Sequence, residues 1–166
     1  FLRQALEKKL VDASGNALRL DGPTMALLFA ADRVDHVQRE IEPALARGEV
    51  VISDRYDLSS LIYQSATSDD GAASLAWIAA LNSRVRRPDL TFVLHLDADR
   101  AAERRRARGG EPELFEVEEL QRRLAEAYGR SSDFLPRDVI DIVDADVPIE
   151  ALSEVLLEKL RRRWKS

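Results

Sequence analysis

An acid, a guanidinium, a hydroxyl, a phenol and an amide fall close together in the stretch EVVISDRYDLSSLIYQ, as Asp54, Arg55, Ser60, Tyr63 and Gln64. The apolar run Val50-Val51-Ile52 ahead of them reads as a short strand buried on both faces of a parallel sheet. Asp54 and Arg55 would then stand at its C-terminal end, where open α/β sheets place their ligand crevice. Asp57 has the chemistry of an N-cap for a following helix. Spacings of three and four put Ser60, Tyr63 and Gln64 on one face of that helix. Such a mouth suits a small, phosphorylated, hydrogen-bonding ligand. The competing reading is an internal Asp54–Arg55 pair that staples strand to helix.

A second constellation lies upstream. The segment from Pro23 to Arg47 reads as a long helix, with Pro23 in its first turn, Gly48 past its end and Pro43 as a kink. Leu27, Ala30, Ala31, Val34, Val37, Ile41 and Leu45 form its apolar stripe at about 100° per residue. Phe29 falls on the opposite side, one turn before Arg33. A flat ligand stacked on the ring, with the guanidinium bonding its edge, would use this pair. A Phe buried against another segment or subunit fits the same periodicity.

A third candidate is the arginine run. Arg104 and Arg108 lie one turn apart ahead of Gly109-Gly110, as a mobile lid over phosphates, spanning about residues 106–118, would require. A solvated face neutralised by Glu103, Glu111 and Glu113 would look alike. The terminal Arg161-Arg162-Arg163 reads as a surface complement to a helix dipole.

These residues need a scaffold. A helix is expected from about Ala72 to Arg87, with Trp77 in the core, and a buried strand over Leu90–Leu96 (LTFVLHL) containing His95 as a satisfied core residue. Asp99 would cap a helix over Arg100–Arg108. A strand over Val139–Val143 and a helix from about Pro148 to Trp164 complete the chain, whose first residues, Phe1–Leu10, read as the back of an amphipathic helix. Strands alternating with helices indicate a parallel α/β sheet with right-handed crossovers in one domain.

The composition agrees. The 166 residues are 45% hydrophobic and 33% charged, with a net charge of −5. An acidic balance, with a pI near 5.2, argues against general binding to nucleic acid or anionic membranes. The chain has no cysteine, which excludes a disulfide framework and a Cys-based metal or nucleophile site, and His36 and His95 are too few for a multi-histidine metal site. The longest apolar runs, Met25–Ala31 and Leu75–Leu81, fall short of the roughly 20 residues of a membrane span. A cytoplasmic protein is expected.

Taken together, LLFAADRVDHV, RGEVVISDRYDLSSLIYQ, WIAALN, RPDLTFVLHLDAD and RARGGEPELFE resemble the thymidylate kinase family in order and spacing. The resemblance implies a P-loop kinase fold, a three-layer parallel sheet flanked by helices, and transfer of the ATP γ-phosphoryl group to dTMP with Mg²⁺. By resemblance the thymine ring lies on Phe29, its edge on Arg33 and Gln64, and the 5′-phosphate on Arg55. Tyr63 would exclude a 2′-hydroxyl, Ser60 would line the pocket, and Asp54 would lie beside the Mg²⁺–phosphate site. A lid arginine facing the donor phosphates would come from Arg104, Arg106 or Arg108, with Arg104 and Arg108 the candidates taken, and a homodimer through the long helices is implied. Two departures are visible. Glu113-Leu114 stand before Phe115-Glu116 where many bacterial members carry a basic lid residue. No Gly-x-x-x-x-Gly-Lys-Ser/Thr occurs in the sequence. The family carries that loop after its first strand, so a chain incomplete at its N-terminus is expected. A P-loop kinase with another nucleoside or nucleotide acceptor and a non-catalytic nucleotide-binding homologue are the other readings.

Overall fold

The computed structural model describes residues 4, 9–18, 20–67, 71–107 and 115–164, without the side chains of 65, 71–73, 105 and 115–118. Two compact units are formed, Phe1–Arg87 and Pro88–Ser166. The expected N-terminal helix lies almost wholly outside the described residues, as do Arg108 and the Gly109-Gly110 pair.

In the first unit, helix α1 (Gly22–His36) starts where Asp21 accepts a hydrogen bond from the Thr24 amide at 2.8 Å, and Pro23 takes the first turn. The long helix expected over Pro23–Arg47 is interrupted near Pro43, as expected of that proline. A π-helical turn, Val37–Ile41, leads into the short α2, Glu42–Ala46. Pro43 accounts for this, because its ring lacks an N–H and crowds the carbonyl one turn back, at Arg39. The α2 end is closed by Gly48 at φ 79°, with the Gly48 amide on the Leu45 carbonyl at 2.9 Å and the Glu49 amide on the Ala44 carbonyl at 3.1 Å. That pair of bonds satisfies carbonyls the helix end would leave bare. Val37, Ile41 and Val85 form a buried cluster, with Val34, Leu45, Val51 and Tyr56 packed against it.

Helix α3 (Asp57–Thr67) buries Leu58, Leu61, Ile62 and Ala66, and it packs with α1 and with α4 (Gly71–Leu81). The α4 helix stops short of the expected Arg87. The side chains of Asn82 and Ser83 bond back to the Ile78 and Ala80 carbonyls, each at 2.8 Å, which ends the helical ladder locally. Trp77, expected in the core, is 38% exposed, because neighbouring Ile78 holds the buried face of α4.

The expected strand at Val50–Ile52 does not form. No strand pairs with it among the described residues, and Val50 and Ile52 are 68% and 89% exposed. An apolar run signals a segment that favours burial, but a strand also needs a neighbour to take its backbone hydrogen bonds.

The second unit is built on two parallel strands, β1 (Thr91–His95) and β2 (Ile140–Asp144), in register from Thr91 opposite Ile140 to His95 opposite Asp144. Both match the expected strands to within a residue or two. Helices α5 (Ala98–Ala107), α6 (Phe115–Gly129) and the short α7 (Ser131–Phe134) connect them, and α8 (Ile149–Trp164) follows β2. Val93, Leu124, Val143 and Ala145 are its buried aliphatic residues among those described. Asp97, not the expected Asp99, caps α5, accepting from the amides of Asp99 at 2.9 Å and Arg100 at 3.4 Å. Among the described residues, no helix is long and apolar enough to cross a membrane.

The α2 terminus yields a test of backbone strain alone. A Cβ at Gly48 would meet nothing within 4 Å, so Gly48→Ala pays only for its left-handed conformation. A loss of about 1 kcal/mol in urea unfolding is expected, with Gly48→Asn losing less. Equal stability of Gly48→Ala and the parent would contradict the left-handed cap.

Candidate functional site

Arg33 leaves α1 one turn after half-buried Phe29 and reaches the start of α3 and the end of α4. Its Nη1 donates to the Asn82 Oδ1, and its Nη2 donates to the Ser60 Oγ at 2.9 Å and to the Tyr56 carbonyl at 3.4 Å. The guanidinium carbon lies 5.5 Å from the centre of the Tyr56 ring, within cation–π range. Partial burial pulls the proton affinity of Arg33 below its ordinary value, and the Asp57 and Tyr56 charges oppose that shift. An arginine keeps its charge through such a change. Burial likewise raises the Tyr56 phenol above its ordinary value, with Asp57 adding to the effect, and the hydroxyl donates to the Arg86 carbonyl at 3.0 Å.

Asp57, expected as an N-cap, is the first residue of α3, is buried, and pairs with Arg87. A carboxylate taken out of water needs a cation, and Arg87 supplies it from the segment after α4. A staple of the kind considered for Asp54–Arg55 thus exists, but Asp57 and Arg87 make it.

Asp54 and Arg55 are both exposed, and neither side chain has a hydrogen-bond or ion-pair partner among the described residues. Arg55 has a φ of 66°, the one non-glycine residue with positive φ among those described. Holding an arginine in the left-handed region costs energy that no internal contact of its side chain repays. The Ser53 hydroxyl donates to the Arg55 carbonyl at 3.0 Å and helps to fix the turn. Along α3, Ser60 faces Arg33, Gln64 one turn on is half-buried, and Tyr63 is 47% exposed. The first unit therefore gathers Phe29, Arg33, Ser60 and Gln64 on adjoining helices, with Arg55 on the turn that leads into α3. Asn82 and the Asp57–Arg87 pair were missed from sequence. Asn82 fell inside the helix expected to run to Arg87, so nothing local marked it, and the second joins residues distant in sequence.

In the second unit, Arg104 donates to the Ala145 carbonyl at 2.9 Å and to Asp146 at 3.2 Å, while Arg100 bonds the same carboxylate at 2.9 Å. Arg104 thus holds the turn after β2. The Arg100 guanidinium keeps the Asp146 carboxyl below its ordinary range. No cluster of three or more metal-ligating side chains occurs among the described residues. Asp54, exposed and without an internal partner, suits a Mg²⁺ ion that takes one or two carboxylates and otherwise phosphates and water.

The thymidylate kinase family model matches residues 4–155. The probable thymidylate kinase of Thermococcus gammatolerans is 41% identical over 150 residues, which cover 87% of this chain and 69% of that protein. That of Pyrococcus abyssi is 38% identical over 90% of this chain and 68% of its own length, and that of Thermococcus kodakarensis 38% over 92% and 77%. The chain belongs to the thymidylate kinase family.

Removing Arg87 should expose the cost of the buried carboxylate. Arg87→Met is expected to destabilise the first unit by roughly 3 kcal/mol, read from thermal or urea unfolding. Asp57→Asn/Arg87→Met should recover part of that loss, since no buried charge then remains. An unchanged midpoint for the single variant would mean that Asp57 has no need of Arg87.

Proposed function

We propose that this chain binds dTMP as phosphoryl acceptor and belongs to an enzyme that transfers the γ-phosphoryl group of ATP to it, giving dTDP. The observation that carries this reading is Arg55, an exposed cation held in a strained backbone state with no partner for its side chain among the described residues. Strain of that kind persists where a ligand uses it. Arg55 takes the 5′-phosphate by charge-assisted bonds. Phe29 stacks on the base, Arg33 and Gln64 meet its edge, and Ser60 lines the pocket. Tyr63 packs against the deoxyribose where a 2′-hydroxyl would need room.

In the transfer an oxygen of the dTMP phosphate bonds to the γ-phosphorus as the bond to the β–γ bridging oxygen breaks, and ADP leaves. Such chemistry asks the protein for positioning and charge neutralisation. Arg55 holds the acceptor oxygen in place and offsets its charge. Asp54 is the side chain proposed to hold Mg²⁺, which would offset phosphate charge when bound. Arg104 and Arg108 are the arginines proposed for the donor side. For Arg104 that role requires exchange of its bonds to Ala145 and Asp146 for phosphate. The finer architecture is a three-layer parallel sheet. The shallow groove of Leu27, Ala31, Val34 and Leu81 is proposed as the face through which two copies pair, on the strength of Leu27, half exposed on an apolar stripe.

Arg55→Gly tests the reading, because glycine accepts the left-handed φ of 66° while the whole side chain, guanidinium included, is removed. Its stability should equal or exceed that of the parent, while dTMP affinity falls by roughly 10–150-fold, the worth of a charge-assisted phosphate contact. Affinity for thymidine, which lacks the phosphate, should not change. dTMP affinity within twofold of the parent would remove Arg55 from the phosphate site. The product of the whole open reading frame, given ATP and Mg²⁺, should form ADP only when dTMP is present.

A further inference from the structure

The Asn82 side chain is buried, and its amide is used at both ends. Its Nδ2 donates to the Ile78 carbonyl at 2.8 Å, and its Oδ1 accepts from Arg33 Nη1. The first bond decides the second. With Nδ2 committed to the α4 backbone, only the oxygen is left facing α1, so the amide presents an acceptor to the guanidinium and cannot rotate without losing a buried bond. Ser60 Oγ and the Tyr56 carbonyl hold the other terminal nitrogen, and the Tyr56 ring lies beside the guanidinium. Arg33 is thereby pinned at both terminal nitrogens, while its Nε has no hydrogen bond to any described residue.

From this geometry we infer that Asn82 is a positioning residue for recognition of the acceptor's base: it fixes the plane of Arg33 before ligand arrives. The inference rests on the reading of Arg33 as the group that meets the base edge. A free arginine side chain would lose its rotamer freedom on binding; one already held in place does not. The pinned guanidinium also offers its Nε–H in one fixed direction. It therefore favours a base whose edge presents an acceptor oxygen there over one that presents an amino group.

Dissociation constants for dTMP and dCMP, measured on the parent, Asn82→Leu, Arg33→Ala and the double variant, test this. Asn82→Leu should weaken dTMP by roughly 3- to 10-fold and narrow its preference over dCMP. In the Arg33→Ala background the same substitution should change neither value, because Asn82 acts through Arg33. Asn82→Asp keeps an acceptor toward Arg33 and should retain the preference for dTMP. It also serves as the reporter if Asn82→Leu fails to fold. An Asn82→Leu effect that persists without Arg33, or no Asn82→Leu effect where Arg33→Ala has one, would overturn the positioning role. Loss of preference in a folded Asn82→Asp would overturn it too. If Arg33→Ala itself left dTMP affinity unchanged, the base-edge reading would fall, and the inference with it.

Discussion

A cation drawn partly out of water between three helices is the constraint on which the first unit depends. Arg33 can occupy that place only because acceptors from each neighbour meet it: Asn82 from the end of α4, Ser60 from α3 and the Tyr56 carbonyl from the turn before it. The same contacts tie α1, α3 and α4 together where their apolar faces meet, so the polar cluster and the aliphatic core fix one another. Beside it, Asp57 is a buried anion that Arg87 balances. Each charge taken from water is answered by a specific partner, which is the condition for such groups to be tolerated.

Arg55 stands in contrast to Arg33. Its backbone is strained, and its side chain has no hydrogen-bond or ion-pair partner among the described residues. One arginine is bonded into the architecture, the other stands exposed on the turn into α3. The second unit uses its arginines differently. Asp146 draws both Arg100 and Arg104 to the turn after β2, and these are largely exposed bonds worth little to stability. Their weakness is what would let Arg104 exchange partners.

Much of this was legible in the sequence because local physics decides it. The runs at β1 and β2 are short, apolar and followed by helices, and they pair in parallel as that pattern implies. Pro23 and Gly48 mark helix ends for reasons contained in their own geometry. The grouping of Arg33 with Ser60 came from the family resemblance, and the adjacency of α1 and α3 realises it. What escaped was decided at a distance. Asp57 has the local pattern of a cap, yet Arg87 takes its carboxylate. Helical periodicity places residues on faces but does not register the wider turn that Pro43 induces. Val50–Ile52 is apolar enough for a strand, yet no apolar pattern supplies a neighbour for its hydrogen bonds. Asn82 falls inside the helix expected to run to Arg87, and nothing local marks it as the residue that Arg33 meets from the other side.

The central claim is that the first unit holds the acceptor nucleotide around Arg33 and Arg55. Its most direct measurement is an NMR titration of dTMP into the isotope-labelled chain, following arginine side-chain Nε–H, aromatic and backbone resonances. Saturable shifts of Phe29, Arg33, Arg55, Ser60, Tyr63 and Gln64 are predicted, with the Arg33 Nε–H among the largest. Shifts that saturate elsewhere and leave these residues unmoved would contradict the account.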